Sequence, residues 1–201
     1  MAAEQYAMFQ ELVGVFQGAK IQEGNVWEKL IYEVIRDAGR YSMVANGFPV
    51  LLLHDEEKKG ARKNHKVDIF CKDDDKMVIH AYNSKGKSFN NTESPESLCK
   101  EYQLYKASIE HAHPGYAVTY AILKDEYDCK DGKMSKYKYL EANGIPVFNT
   151  KTYLMEEYGI STDEIEKKRQ MRTIELVQER FKKTGITQEQ LRLLTTGVSS
   201  E

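Results

Sequence analysis

The sequence predicts an α/β (α+β) fold, a central mixed β-sheet flanked by helices, with a helical appendage at its C-terminal end. Three observations carry this. Two apolar runs, Val67–Cys71 and Met77–Tyr82, flank the charged stretch Lys72–Lys76, the pattern of an antiparallel hairpin. From Ser94 onward, helix and strand patterns alternate, which builds parallel strands through helical crossovers. From Ser161 the chain reads as one long basic helix. With 201 residues, 41% of them hydrophobic and 30% charged, it is long enough for one full core and a small addition. The expected division is 1–160 for the core domain and 161–201 for the appendage.

Composition also bounds the function. No apolar run approaches the roughly 18 residues of a membrane span. The opening Met-Ala-Ala-Glu-Gln has no basic stretch followed by an apolar one, so we expect no secretory signal and a cytoplasmic protein. Cys71, Cys99 and Cys129 are odd in number and widely spaced, which suits reduced thiols better than disulfides or a zinc set. A formal net charge of −2 argues against a protein that coats nucleic acid non-specifically, yet permits a locally basic cleft.

In chain order, Tyr6, Phe9, Val13 and Phe16 give residues 4–17 a helical spacing. A second helix over about 25–38 has Asn25 as cap, the stripe Trp27, Leu30, Ile31 and Val34, and Gly39 as its stop. Glu28 in its first turn is accounted for by the helix dipole alone. Tyr41–Ala45 and Phe48–His54 read as strands joined by Asn46-Gly47, a two-residue hairpin signal. Asp55–Lys66 is polar and ends in the basic run Lys58–Lys66, usually a solvated loop.

Beyond the hairpin, Lys85-Gly-Lys-Ser88 lacks the upstream glycine of a phosphate loop and is not one. Ser94 caps a helix with Pro95 in its first turn and Leu98, Tyr102, Tyr105 and Ile109 along one face. His111 and His113 near its end read as C-terminal capping, since no third ligand lies near for zinc. Tyr116–Leu123 is a strand, Ser135–Asn143 a helix before Gly144, Ile145–Phe148 a strand, and Thr150–Tyr158 a helix ended by Gly159. Ser161-Thr-Asp-Glu164 is a capping box for a helix to Thr184, with Ile165, Met171, Ile174, Val177 and Phe181 as its apolar stripe. A short helix follows from Thr187. The pair resembles a helix-turn-helix only loosely, because the second helix lacks base-reading side chains.

The hairpin carries the chemistry. With its turn centred near Asp74–Asp75, Asp68 lies roughly across from Ala81, and Asp68, Ala81, Asn83 and Lys85 share one face. Val67, Ile69, Val78, His80 and Tyr82 line the other. Diagonal neighbours on a face are about 7–8 Å apart, close enough for Asp68 and Asn83 to hold one cation. A carboxylate, an amide oxygen and an ammonium at a strand end are poorly explained by packing.

Asp68, then fourteen residues, then Asn83-Ser84-Lys85 resembles the PD-(D/E)XK nuclease superfamily, which includes many type II restriction endonucleases. Val67 before the aspartate, the apolar strand before the tripeptide, and the order of elements over residues 24–158 are similar to its restriction-endonuclease-like core. Asn83 departs from the usual Asp or Glu. Either the amide serves as a neutral ligand, or Glu96 or Glu101 on the next helix supplies the acid, or the asparagine marks lost catalysis. The resemblance implies Mg²⁺, with Mn²⁺ as a substitute, held by Asp68, Asn83 and the Ser84 carbonyl. It implies that Lys85 orients or deprotonates water and stabilises charge. Gly24-Asn-Val-Trp-Glu28 looks like the superfamily's glycine-to-glutamate signature, so Glu28 is expected to reach the metal site through water.

The same resemblance implies double-stranded DNA as partner, contacted by Arg62, Lys63 and Lys66 from the basic run, by Lys87, and by Gln103 from the following helix. A homodimeric type II endonuclease is the first expectation, with residues 161–201 as dimer contact or DNA clamp. A structure-specific resolvase or repair nuclease, or a nuclease-derived DNA-binding protein without catalysis, are the alternatives.

Overall fold

The structure is a computed structural model that describes residues 14, 26–53, 65–85, 94–125, 136–185 and 187. Apart from Gly14, the expected helix at 4–17 lies outside these residues, as do the basic run before His65 and the helix after Thr187. The chain divides into two compact units, Trp27–Ile165 and a second made of Met1–Val26 with Glu166–Glu201.

The first unit is a mixed five-stranded sheet with helices on both faces. Its order along the chain is α1 (26–37), β1 (Met43–Val50), β2 (His65–Asp73), β3 (Val78–Lys85), α2 (Pro95–Ala112), β4 (Ala117–Lys124), α3 (Lys136–Ala142), β5 (Val147–Asn149) and α4 (Thr150–Tyr158). The strands lie side by side in that same order, β1 to β5. β1, β2 and β3 pair antiparallel, whereas β4 and β5 add in parallel. That switch follows from the connections, since helices α2 and α3 carry the chain back across the sheet before each added strand.

The helices form where the sequence offers ends for them. Ser94 Oγ accepts from the Ser97 N–H at 3.2 Å, with Pro95 next, and starts α2. Asn149 does the same for α4 through Thr152, and Gly159 stops it at φ +70°. Leu98, Cys99, Tyr102, Tyr105 and Ile109 of α2 and Leu140 of α3 bury one face of the sheet against Phe70, Ile79, Ala81, Tyr120 and Ile122. Trp27, Leu30, Ile31, Val34 and Ile35 of α1 and Leu154 of α4 bury the other against Ile69, Cys71, Tyr82, Ala121 and Leu123. Large apolar side chains removed from water on both faces supply the main driving force for this unit.

Three local expectations are corrected. Asn46-Gly47 is not a hairpin: one strand, β1, runs through it and pairs with β2 on both sides. A type I′ turn needs positive φ at both central residues, and only Gly47, at φ +64°, has it. β2 offers a partner along the whole length, and Asn46 spends its side chain on long-range bonds. The left-handed peptide instead turns the strand over, so that Ala45 and Phe48, three residues apart, both pack on the α2 face.

The hairpin register is the second correction. Asp73 Oδ1 accepts the N–H groups of Asp75 at 3.1 Å and Lys76 at 3.0 Å. This pulls the turn to residues 74–77, with Met77 at φ +54°. Phe70, not Asp68, therefore faces Ala81, and the same register carried two pairs on sets Asp68 opposite Asn83. Val67 also leaves the face expected for it and joins Phe70 against α2.

The third concerns α5 (Thr162–Thr184), which starts on the Ser161 cap as expected, Glu164 N–H to Ser161 Oγ at 3.2 Å. Ile165 is fully buried, but Met171 and Ile174 are 54% and 55% exposed. Six residues carry a helix about 120° away from its starting face, so Ile165 and Met171 never shared a stripe.

Candidate active site

Asp68 owes its position to the break in strand regularity around Gly47. Its neighbours Val67 and Ile69 pack on opposite faces of the sheet, so the chain turns at Asp68. The β2–β3 ladder stops at Ile69–Tyr82. The next N–H of β3, that of Ser84, is taken by the Asp68 carboxylate itself, Oδ2 accepting at 2.7 Å. Burial raises the Asp68 pKa above the ordinary carboxylate value, while the Ser84 N–H and the Lys85 charge oppose the rise.

Glu28 arrives from the first turn of α1. Asn46 of β1 holds it, its Nδ2 donating to Glu28 Oε1 at 2.7 Å and to the Asp68 carbonyl at 3.2 Å. Burial, then the Asp68 charge, raise the Glu28 pKa, and Asn46 and Lys85 act against them. Glu28, Asp68 and Lys85 therefore share one electrostatic environment. Asn46 was missed in the sequence because its dipeptide was read as a turn. Only the juxtaposition of α1, β1 and β2 discloses it.

Asn83 completes the group. Its Nδ2 donates to the Tyr120 hydroxyl at 3.4 Å, while its Oδ1 is buried and has no hydrogen-bond partner. A buried acceptor left without a donor costs about 1–3 kcal/mol, and so calls for an explanation. Lys85 is the last residue of β3, beside Lys124 of β4, and its carbonyl accepts the N–H of the fully buried Asp125 at 2.9 Å.

The structure thus brings Glu28, Asp68, Asn83, Ser84 and Lys85 together. Among the described residues no three His, Cys, Asp or Glu side chains gather as a metal set. The donors here are two carboxylates, an amide oxygen and a peptide carbonyl, an all-oxygen set of the kind hard divalent cations prefer. The partnerless Asn83 Oδ1 fits such a cation.

The other expected residues are placed as follows. Glu96 is exposed in the first turn of α2, where its own backbone N–H and Ser94 hold its pKa low. Glu101 is exposed on the same helix, and its charge and that of Asp68 both act on Tyr105. Gln103 is exposed and donates to the Asn143 carbonyl at 3.4 Å. Lys66 is exposed near the start of β2, across from Pro49. Arg62, Lys63 and Lys87 lie outside the described residues.

No family model matches the chain. No curated protein matches it in sequence either. Among solved structures it is similar to the small subunit of the heterodimeric restriction endonuclease R.BspD6I, with a TM-score of 0.41 and 12% identity over 90% of this chain and 98% of that one.

Proposed function

We propose that the protein is a Mg²⁺-dependent endonuclease that hydrolyses phosphodiester bonds of double-stranded DNA. The observation that carries this reading is the buried, partnerless Asn83 Oδ1, next in the chain to Ser84, whose N–H the Asp68 carboxylate holds while Glu28 and Lys85 act on that carboxylate's charge. Nothing in packing accounts for two carboxylates, a lysine and an orphaned oxygen at one strand end.

Asp68, Asn83 and the Ser84 carbonyl would hold Mg²⁺, or Mn²⁺ in its place. Such a cation neutralises charge on the phosphate oxygens and leaving group and acidifies water. The chain's own groups do the rest. The Lys85 ammonium faces the phosphate, stabilises the charge that develops on it and orients the attacking water. Glu28, kept ready to take a proton by its raised pKa, accepts hydrogen bonds from water on the α1 side. Attack forms one phosphorus–oxygen bond and breaks another, and the leaving oxygen takes up a proton. Lys66, together with Arg62, Lys63, Lys87 and Gln103, would contact the backbone on either side. With one carboxylate directly at the cation instead of two, activity needs millimolar metal.

A homodimeric type II enzyme that cuts a short specific sequence is the form of this activity we favour, with residues 161–201 as dimer contact or DNA clamp. The neutral Asn83 favours a second reading, a DNA-binding protein of the same fold that has lost catalysis. Incubation with supercoiled plasmid in Mg²⁺, Mn²⁺, Ca²⁺ or chelator, alongside Lys85→Ala, separates them. Cleavage that needs Mg²⁺ or Mn²⁺ and Lys85 supports the enzyme. Silence that Asn83→Glu relieves supports the second reading, and silence in both with no DNA binding removes both.

A further inference from the structure

An asparagine at a cation site poses a problem that an aspartate does not. A carboxylate presents an oxygen whichever way it turns. An amide presents oxygen one way and an NH₂ donor the other, and a donor aimed at a cation repels it. Position 83 is therefore useful as a ligand only if something fixes the amide with its oxygen inward and gives its NH₂ an acceptor.

We infer that Tyr120 is the positioning residue that makes Asn83 a cation ligand, its buried hydroxyl accepting Asn83 Nδ2 so that Oδ1 is left facing the Asp68 group. The inference rests on the metal-site reading above. The hydroxyl stands 3.4 Å from Nδ2, and Oδ1 has no partner. Tyr120 is 1% exposed, in the middle of β4, with its ring against those of Tyr102 and Tyr105 at 5.4 and 5.8 Å. Packed against these rings, it cannot swing away. In Tyr120→Phe the packing stays and the acceptor goes. The NH₂ then has nowhere to point but into the site, at the expense of the oxygen.

The test reads Mn²⁺ binding by calorimetry, and thermal shift in parallel, on the full chain. Four proteins are compared: the unaltered chain, Tyr120→Phe, Asn83→Asp and the double variant. We expect Tyr120→Phe to weaken Mn²⁺ binding about five- to tenfold, the effect of removing one hydrogen-bond partner from a buried group. In the Asn83→Asp background the same change leaves binding unchanged or tighter, because no NH₂ needs an acceptor there. Equal loss in both backgrounds would make Tyr120 a merely structural residue and overturn the inference. Tyr120→Phe binding Mn²⁺ as the unaltered chain does would also overturn it. If the unaltered chain and Asn83→Asp both fail to bind Mn²⁺, the metal-site reading itself falls, an outcome distinct from the other two. Melting without metal shows whether each variant folds.

Discussion

The Asp68 carboxylate accepts the Ser84 N–H at 2.7 Å, in the place where a β2 carbonyl would continue the ladder. One side chain therefore both closes the sheet and sets a negative charge beside Lys85. These roles separate by substitution. Asp68→Asn keeps an oxygen for Ser84 and should melt close to the unaltered protein. Asp68→Ala strands the N–H and should lose about 1–3 kcal/mol of stability. Both should abolish metal-dependent plasmid cleavage. Full cleavage by either variant would remove Asp68 from the chemistry.

Glu28 gives a pH-dependent prediction. Burial and the Asp68 charge raise its pKa from the ordinary 4.5, so the folded state holds this proton more tightly than the unfolded chain does. Ionisation then costs stability as pH rises from about 4.5 through the raised value, and the cost persists above it. Glu28→Gln keeps the bond from Asn46 and removes that cost. Its Tm at pH 8 should exceed that of the unaltered protein by about 1–3 °C, the difference vanishing near pH 4. A gain that is the same at both pH values would contradict this account.

Asn83→Asp places a further carboxylate beside two that already have raised pKa values. In chelator its Tm should fall, and Mg²⁺ should restore it. The Mg²⁺ concentration for half-maximal cleavage should drop about tenfold, since ligand charge count sets affinity at such sites. Titrating Mg²⁺ against cleavage rate and against Tm measures both.

Lys66 is exposed, so Lys66→Ala should leave Tm unchanged. If it meets a phosphate, duplex affinity measured across salt concentrations should lose about one unit of the log–log slope. An unchanged slope would assign Lys66 to solvent.

Much of this fold was legible because its signals are local. Ser94 before Pro95 starts α2, Gly159 ends α4, and the spacing of Leu98, Tyr102, Tyr105 and Ile109 names the buried face. What escaped was decided at a distance. Asn46-Gly47 carries a turn signal, yet β2 pairs with both of its flanks and Asn46 is drawn to Glu28 and Asp68. The hairpin slipped from its expected register because Asp73 captures two N–H groups, a choice three aspartates in a row do not disclose. Glu28 could be read equally as a helix-dipole acid or a site residue. Its position beside Asp68 needed the packing of α1 on the sheet. Tyr120, inside the expected strand Tyr116–Leu123, is buried in the core, with a hydroxyl at Asn83 that periodicity does not reveal.

β1 has a wider consequence. Among the described strands it stands at one margin of the sheet, with β2 on its inner side only. Pro49 has no N–H to offer there, and two residues earlier the left-handed Gly47 peptide breaks the row of donors and acceptors. A second sheet laid along β1 would meet an interrupted rail. The same glycine that turns the strand over beside Asp68 thus also discourages sheet-to-sheet fusion along this margin. A paired form of the protein would have to be joined by other surfaces.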